Sequence, residues 1–310
     1  MLSDEYLATL GFLRARAEAR RGSIDDLVAR RLELEAYGDL APMPEGVTSD
    51  TLSVGGVPCG RFAPVGARRD RLVVYLHGGG YCRGSVKSHR SLAARLAVDV
   101  GAPVLVVDYR LAPEHPYPAA LEDARTVVDW VTGSAGVAPE ALALVGDSAG
   151  GGLVVATLLA LRESGAELPA CAALISPWLD LRPSDASRTG GVASDPVVTQ
   201  EDLELSARWY LGRTPDTHPM VSPVLADLSA LPPMLIHVGS GELLLEDARA
   251  FGVAARAAGT RVELVIAPDM VHCWHLFAGV PEADAAVEDV ADFVTAHWDG
   301  AEGGPQVASG

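Results

Sequence analysis

The sequence predicts an α/β protein built on a mostly parallel sheet with helices on both faces. Three observations carry this. Short apolar runs alternate with amphipathic helical segments from about residue 71 to residue 298. The runs are continuous rather than alternately polar, as in strands covered on both sides. The 310 residues, 49% hydrophobic and 21% charged, are enough for one large core with an appendage.

Residues 1–36 read as two helices. Ser3 is placed to cap the first, with Leu2, Tyr6, Leu10 and Leu13 at helical spacing. Ser23, three residues before Asp26, resembles a cap for the second, ahead of Leu27, Val28, Leu32 and Leu34. Pro42 and Pro44 close this region, and Thr51–Pro64, with Gly55-Gly56 inside it, reads as a hairpin. Strands are then expected at 71–77, 103–108, 141–146 and 170–176, with helices at 88–100, 119–131 and 149–162 between them. The rhythm breaks between Leu179 and Asp227, where the one helical segment lies around Asp202–Leu211. It resumes with strands at 234–239 and 262–267 and helices at 246–258 and 282–298; a Gly-rich tail, 300–310, is expected to be disordered.

The formal charge of −17 repels phosphate backbones and anionic lipid surfaces, so neither nucleic acid nor a membrane is an expected partner. The acidic opening Met1-Leu2-Ser3-Asp4-Glu5 lacks the pattern of a secretory signal, and no apolar stretch is long enough to span a bilayer. Cys59, Cys82, Cys171 and Cys273 form no framework, which fits free thiols in a reducing cytoplasm. No metal-ligand spacing is evident, and neither a metal nor a cofactor is expected.

Chemistry concentrates in three places. Gly146-Asp147-Ser148-Ala149-Gly150 follows a strand and opens a helix, the context of a nucleophile elbow. Side chains at the flanking glycines would clash in so tight a turn, and the helix N-terminus favours negative charge near Ser148. His77-Gly78-Gly79-Gly80 ends an earlier strand; the N–H groups of Gly79 and Gly80, with that of Ala149, are the candidate donors to an oxyanion. A phosphate-binding loop would need Gly-Lys-[Ser/Thr] and an immediate helix, whereas Tyr81-Cys82-Arg83-Gly84 follows. A general base is expected on the loop after the last strand, at His272 in preference to its neighbour His275. The acid that orients it is expected after strand 234–239, at Glu242, with Asp247 as the alternative.

These residues, together with Asp108-Tyr109-Arg110-Leu111-Ala112-Pro113-Glu114-His115-Pro116-Tyr117-Pro118-Ala119-Ala120, resemble the hormone-sensitive-lipase-like α/β-hydrolases, the bacterial family IV carboxylesterases. The resemblance runs from about residue 40 to 298. It implies an α/β-hydrolase fold with a helical cap drawn from residues 1–45 and 180–227, over a core at 46–179 and 228–299. It also implies hydrolysis of small acyl esters of short to medium chain through Ser148, His272 and an acid, without a cofactor, and homodimers formed through the last strand and its helix. One departure stands out: the family usually has Asp at the acid position, commonly followed by Pro-Leu, where this chain has Glu242-Leu243-Leu244. Two other readings stay open: an amide-cleaving relative, which keeps the same residues, and a binding module that uses the cap pocket as a receptor, a resemblance that usually comes with loss of the base histidine, present here as His272. The segment Asp108–Ala120 is expected to brace the oxyanion loop, and Asp147 to hold a buried polar contact. Val197, Val198, Trp209, Tyr210 and Leu211, with Leu10, Phe12 and Leu13, are candidates for the acyl pocket.

Overall fold

A computed structural model describes residues 2–19, 26–183 and 195–302. The proposed Ser23 cap lies outside those residues. Eight strands form one sheet: β1 (Val47–Val54), β2 (Val57–Pro64), β3 (Leu72–Leu76), β4 (Val104–Val107), β5 (Leu142–Asp147), β6 (Cys171–Ile175), β7 (Met234–Gly239) and β8 (Val262–Ala267). Their spatial order is β1-β2-β4-β3-β5-β6-β7-β8. The hairpin β1–β2 and the β2–β4 pair are antiparallel; every later pair is parallel.

The unbroken apolar strands are explained by burial on both faces: β4, β5, β6 and β7 are buried along their whole lengths. Helices α4 (Ala119–Gly133), α5 (Ala149–Glu163) and α7 (Leu245–Ala257) cover one face; α3 (Val86–Val100) and α8 (Pro281–Glu302) cover the other. The last helix continues through Glu302, so the first residues of the stretch read as tail are helical. The helix thus runs four residues further than its apolar spacing suggested, and Asp299, the first of them, pairs with Arg71 just ahead of β3.

The remaining helices lie over the strand C-terminal ends. Helix α1 (Asp4–Ala19) is tied to α8, where Ser3 donates from both N–H and hydroxyl to Glu282. Helix α2 (Leu27–Leu40) starts at Asp26, whose carboxylate caps the N–H of Ala29, and runs four residues beyond the expected end. Arg31 on α2 reaches into the core, donating to the carbonyls of Cys82 and Ala112 and to Glu114. Helix α6 (Gln200–Leu211) opens with a capping box between Thr199 and Asp202, and Asp202 also pairs with Arg30 of α2. No helix among the described residues is long and apolar enough to cross a membrane.

The chain reverses direction in the sheet at β3: β4 lies on one side of it and β5 on the other. A crevice forms outside the strand C-terminal ends at such a switch point. The register Leu76↔Gly146 brings the ends of β3 and β5, and the loops that follow them, side by side.

Candidate functional site

The turn after β5 is under strain. Ser148 has φ 52° and ψ −120°, a conformation that side-chain-bearing residues rarely adopt. A Cβ at Gly146 would stand 2.5 Å from the Gly150 carbonyl oxygen, and one at Gly150 would stand 2.0 Å from that of Leu76. Neither position tolerates any other residue, and the two glycines let α5 start directly behind the serine.

The Ser148 hydroxyl lies 3.0 Å from Nε2 of His272, whose Nδ1 lies 2.9 Å from Oε2 of Glu242. Three residues from the loops after β5, β7 and β8 therefore form one hydrogen-bonded chain, all of it buried. Of the two adjacent histidines, His272 meets the serine. His275 turns the other way, its Nε2 3.1 Å from Nδ1 of His237, and burial, then His237 and Arg95, hold it well below the ordinary histidine range. Of the two acids, Glu242 meets the histidine. Asp247 is buried in the first turn of α7. Burial by itself would lower the pKa of His272; the hydrogen bond and charge of Glu242 outweigh it, so the histidine is held above its ordinary value.

Glu242 is oriented by two further donors, the N–H of Gly239 and the hydroxyl of Ser176, both on Oε1. Ser176, at the end of β6, also accepts from the N–H of Cys273 at 3.1 Å and so ties the acid to the histidine loop. Tyr6 of α1 holds that loop from the other side, its hydroxyl donating to the Asp269 carbonyl and accepting from the Val271 N–H. Neither Ser176 nor Tyr6 carries a sequence signal of such a role: one follows an apolar strand and the other sits on a helical stripe. Asp195 was also not singled out. It is buried beside the histidine, accepts from the N–H groups of Val197 and Val198, and is pushed up to about 6 by burial, against the opposing charge of His272.

Gly79 and Gly80 have φ of 115° and 64° and line the cleft above Ser148. Their N–H groups and that of Ala149, the first residue of α5, donate to no protein acceptor among the described residues. The segment after β4 braces this loop: the Ala112 N–H donates to the Tyr81 carbonyl and the Tyr109 hydroxyl to that of His77.

The cleft opens to solvent. Val197 and Val198 line it, as do Leu34, Tyr37, Trp178 and Leu203, which the sequence did not single out. Tyr210 instead stacks on Tyr81, next to the Gly78–Gly80 loop, ring centres 3.7 Å apart. Leu13 packs with Tyr6 and Val271, and Phe12 is half exposed. Trp209, Leu211 and Leu10 are also absent from the cleft wall. All four cysteines are buried and free, and no cluster of metal-ligating side chains occurs among the described residues.

A profile for the alpha/beta hydrolase fold matches residues 73–276. An acetyl-hydrolase of Streptomyces hygroscopicus is 44% identical over 297 residues, covering 95% of this chain and 97% of its own. Among solved structures, an esterase of the bacterial hormone-sensitive lipase family superposes with a TM-score of 0.90 at 40% identity. The match covers 96% of this chain and 99% of that one. The esterase EstE5, soaked with p-nitrophenyl butyrate, superposes with the same score at 35% identity and the same coverage.

Proposed function

This chain belongs to the α/β-hydrolase family, in its bacterial hormone-sensitive-lipase branch, and from that premise we propose that Ser148, His272 and Glu242 form its catalytic triad. The chain is a carboxylic ester hydrolase. The observation that carries the mechanism is the unbroken hydrogen-bonded path from Ser148 through His272 to Glu242, facing a cleft beside uncommitted N–H groups.

In the proposed cycle His272 Nε2 takes the hydroxyl proton as Ser148 Oγ attacks the ester carbonyl. The electron pair displaced to the carbonyl oxygen is held by the N–H groups of Gly79, Gly80 and Ala149. As that tetrahedral centre collapses, the C–O bond to the alcohol breaks and His272 returns the proton to the leaving oxygen. Water then attacks the acyl-enzyme with His272 again as base, releasing the acid and restoring the serine. Glu242 fixes the imidazole orientation and stabilises its cation.

Helices α1, α2 and α6 act as the cap of this site and shape a pocket for short to medium acyl chains. Because each buried CH₂ contributes about 0.8 kcal/mol, kcat/KM should climb about fourfold per carbon until the pocket is full, then fall. Hydrolysis rates of p-nitrophenyl esters from acetyl to palmitoyl test this; a maximum at palmitoyl would rule out a pocket limited to short and medium chains. The matched butyryl p-nitroanilide separates esterase from amidase. The reading as a cytoplasmic protein rests on its four free cysteines, and the reading as a dimer through β8 and α8 rests on the family resemblance and on β8 being the terminal strand of the sheet.

The base must be neutral to act, and Glu242 raises its pKa. Activity is therefore lost as pH falls through a value above the ordinary histidine pKa of about 6.5. A pH profile of kcat/KM on the butyrate ester should show a single acid limb above that value; a limb at or below it would contradict the assigned coupling.

A further inference from the structure

Asp147, covalently next to the nucleophile, takes no part in the cycle above, yet it is 2% exposed and meets four residues from three segments of the chain. Its Oδ1 accepts from the Gly78 N–H and from the Tyr75 hydroxyl, each at 2.8 Å. Its Oδ2 lies 3.3 Å from Nε2 of His89 on α3 and 3.7 Å from the Sγ of Cys273. Burial alone would raise its pKa; the charge and hydrogen bond of His89, then Tyr75, more than offset it and hold the carboxyl at about 2. An ionised carboxylate only accepts, so His89 presents an N–H and Cys273 an S–H to it. The thiol keeps its proton because burial, then Asp147 and Glu242, push it well above the ordinary range.

These contacts converge on the two loops that matter for the reaction. Gly78 immediately precedes Gly79 and Gly80, and Cys273 immediately follows His272. Three consecutive glycines have no side chains with which to fix their own orientation, so the aim of their N–H groups depends on outside anchors. Asp147 is the anchor at the head of the loop, and the approach is so close that a Cβ at Gly78 would lie 2.2 Å from its Oδ2. Because Asp147 and Ser148 are neighbours in one strained turn, the carboxylate fixes the donors relative to the nucleophile itself. His89 lies in the wall of the same cleft and supplies the partner that a buried carboxylate needs.

We propose that Asp147 and His89 form a second acid–histidine pair, one that positions the oxyanion loop against the nucleophile rather than moving a proton in the reaction. This rests on the serine-esterase reading above. Asp147→Asn keeps the shape and an acceptor for Gly78 but removes the charge, and His89→Phe removes the donor on Oδ2. A misplacement of about 1 Å costs on the order of 10²-fold, so kcat on p-nitrophenyl butyrate should fall by about 10²-fold in either variant. KM should stay within about threefold, because ground-state binding does not use the oxyanion donors.

A butyl trifluoromethyl ketone gives a readout that simple loss of stability would not move. Ser148 Oγ adds to its carbonyl carbon, the displaced electron pair forms an oxyanion and the proton passes to His272. Its affinity should fall in step with kcat/KM, while affinity for butyrate, the product, stays unchanged. His89→Gln, which restores a donor, should recover activity to within about threefold of the native chain. If Asp147→Asn does not fold, the two His89 variants decide. Folded variants with native kcat and native ketone affinity, or losses confined to KM, overturn the positioning role. A native chain that neither hydrolyses the ester nor binds the ketone overturns the esterase reading instead.

Discussion

Ser148→Ala is expected to lower kcat for p-nitrophenyl butyrate by on the order of 10⁶-fold, with the binding of non-reacting butyrate unchanged. The size follows from the mechanism: without Oγ there is no acyl-enzyme, and His272 has nothing to deprotonate. Only the oxyanion donors and the pocket remain, and these sustain a residual rate about 10³–10⁴ above water. Alanine must adopt the same φ of 52° at the elbow, so the strain of the turn stays when the hydroxyl is lost. A purified variant that keeps more than a hundredth of the native rate sinks the assignment of the nucleophile.

Glu242→Gln should cost about 10⁴-fold in kcat, the scale on which an acid that orients a catalytic histidine acts. The glutamine is the same size and keeps an oxygen for the Gly239 and Ser176 donors. With that oxygen so placed, the amide nitrogen faces Nδ1 of His272 and can only donate, so the imidazole shifts to the wrong tautomer, with its hydrogen on the nitrogen facing Ser148. A second consequence follows from sign. Glu242 is what holds the histidine above its ordinary pKa against burial, so its removal leaves burial to act and the residual acid limb moves to lower pH. Asp247→Asn, on the first turn of α7, should change kcat by less than about threefold. Equal losses in the two variants would leave Glu242 without a special role, and a limb that stays in place would remove the charge coupling.

The departure at the acid position has a physical reading. Glutamate reaches one methylene further than aspartate, and the loop after β7 uses that reach. Glu242 folds back so that one oxygen takes the N–H of Gly239, three residues earlier, while the other reaches His272. At Gly239 a Cβ would lie 2.2 Å from the Met270 carbonyl oxygen, so the acid loop and the histidine loop run in direct contact. The acid is thus held by its own strand end, by β6 through Ser176, and by the base.

The sequence alone determined what local patterns encode. Continuous apolar runs and helical spacing gave the order of strands and helices, since burial on one or two faces imposes a period along the chain. Gly146-Asp147-Ser148-Ala149-Gly150 and His77-Gly78-Gly79-Gly80 were legible for a related reason: each backbone geometry needs glycine at fixed neighbours, so its constraint is written within five residues. Helix ends were less legible: α2 runs on to Leu40 and α8 to Glu302, past the ends expected from the sequence.

Only the tertiary structure decided which of two neighbouring histidines meets the serine, which of two nearby acids meets the histidine, and that Val198 rather than Tyr210 faces the cleft. The contacts of Ser176, of Tyr6 and between Asp147 and His89 also became visible only there. The reason is distance along the chain. Ser148 and His272 are 124 residues apart, and Asp147 and His89 are 58 apart. Their meeting depends on the strand order and on where each strand ends, and a sequence without partners carries no measure of either.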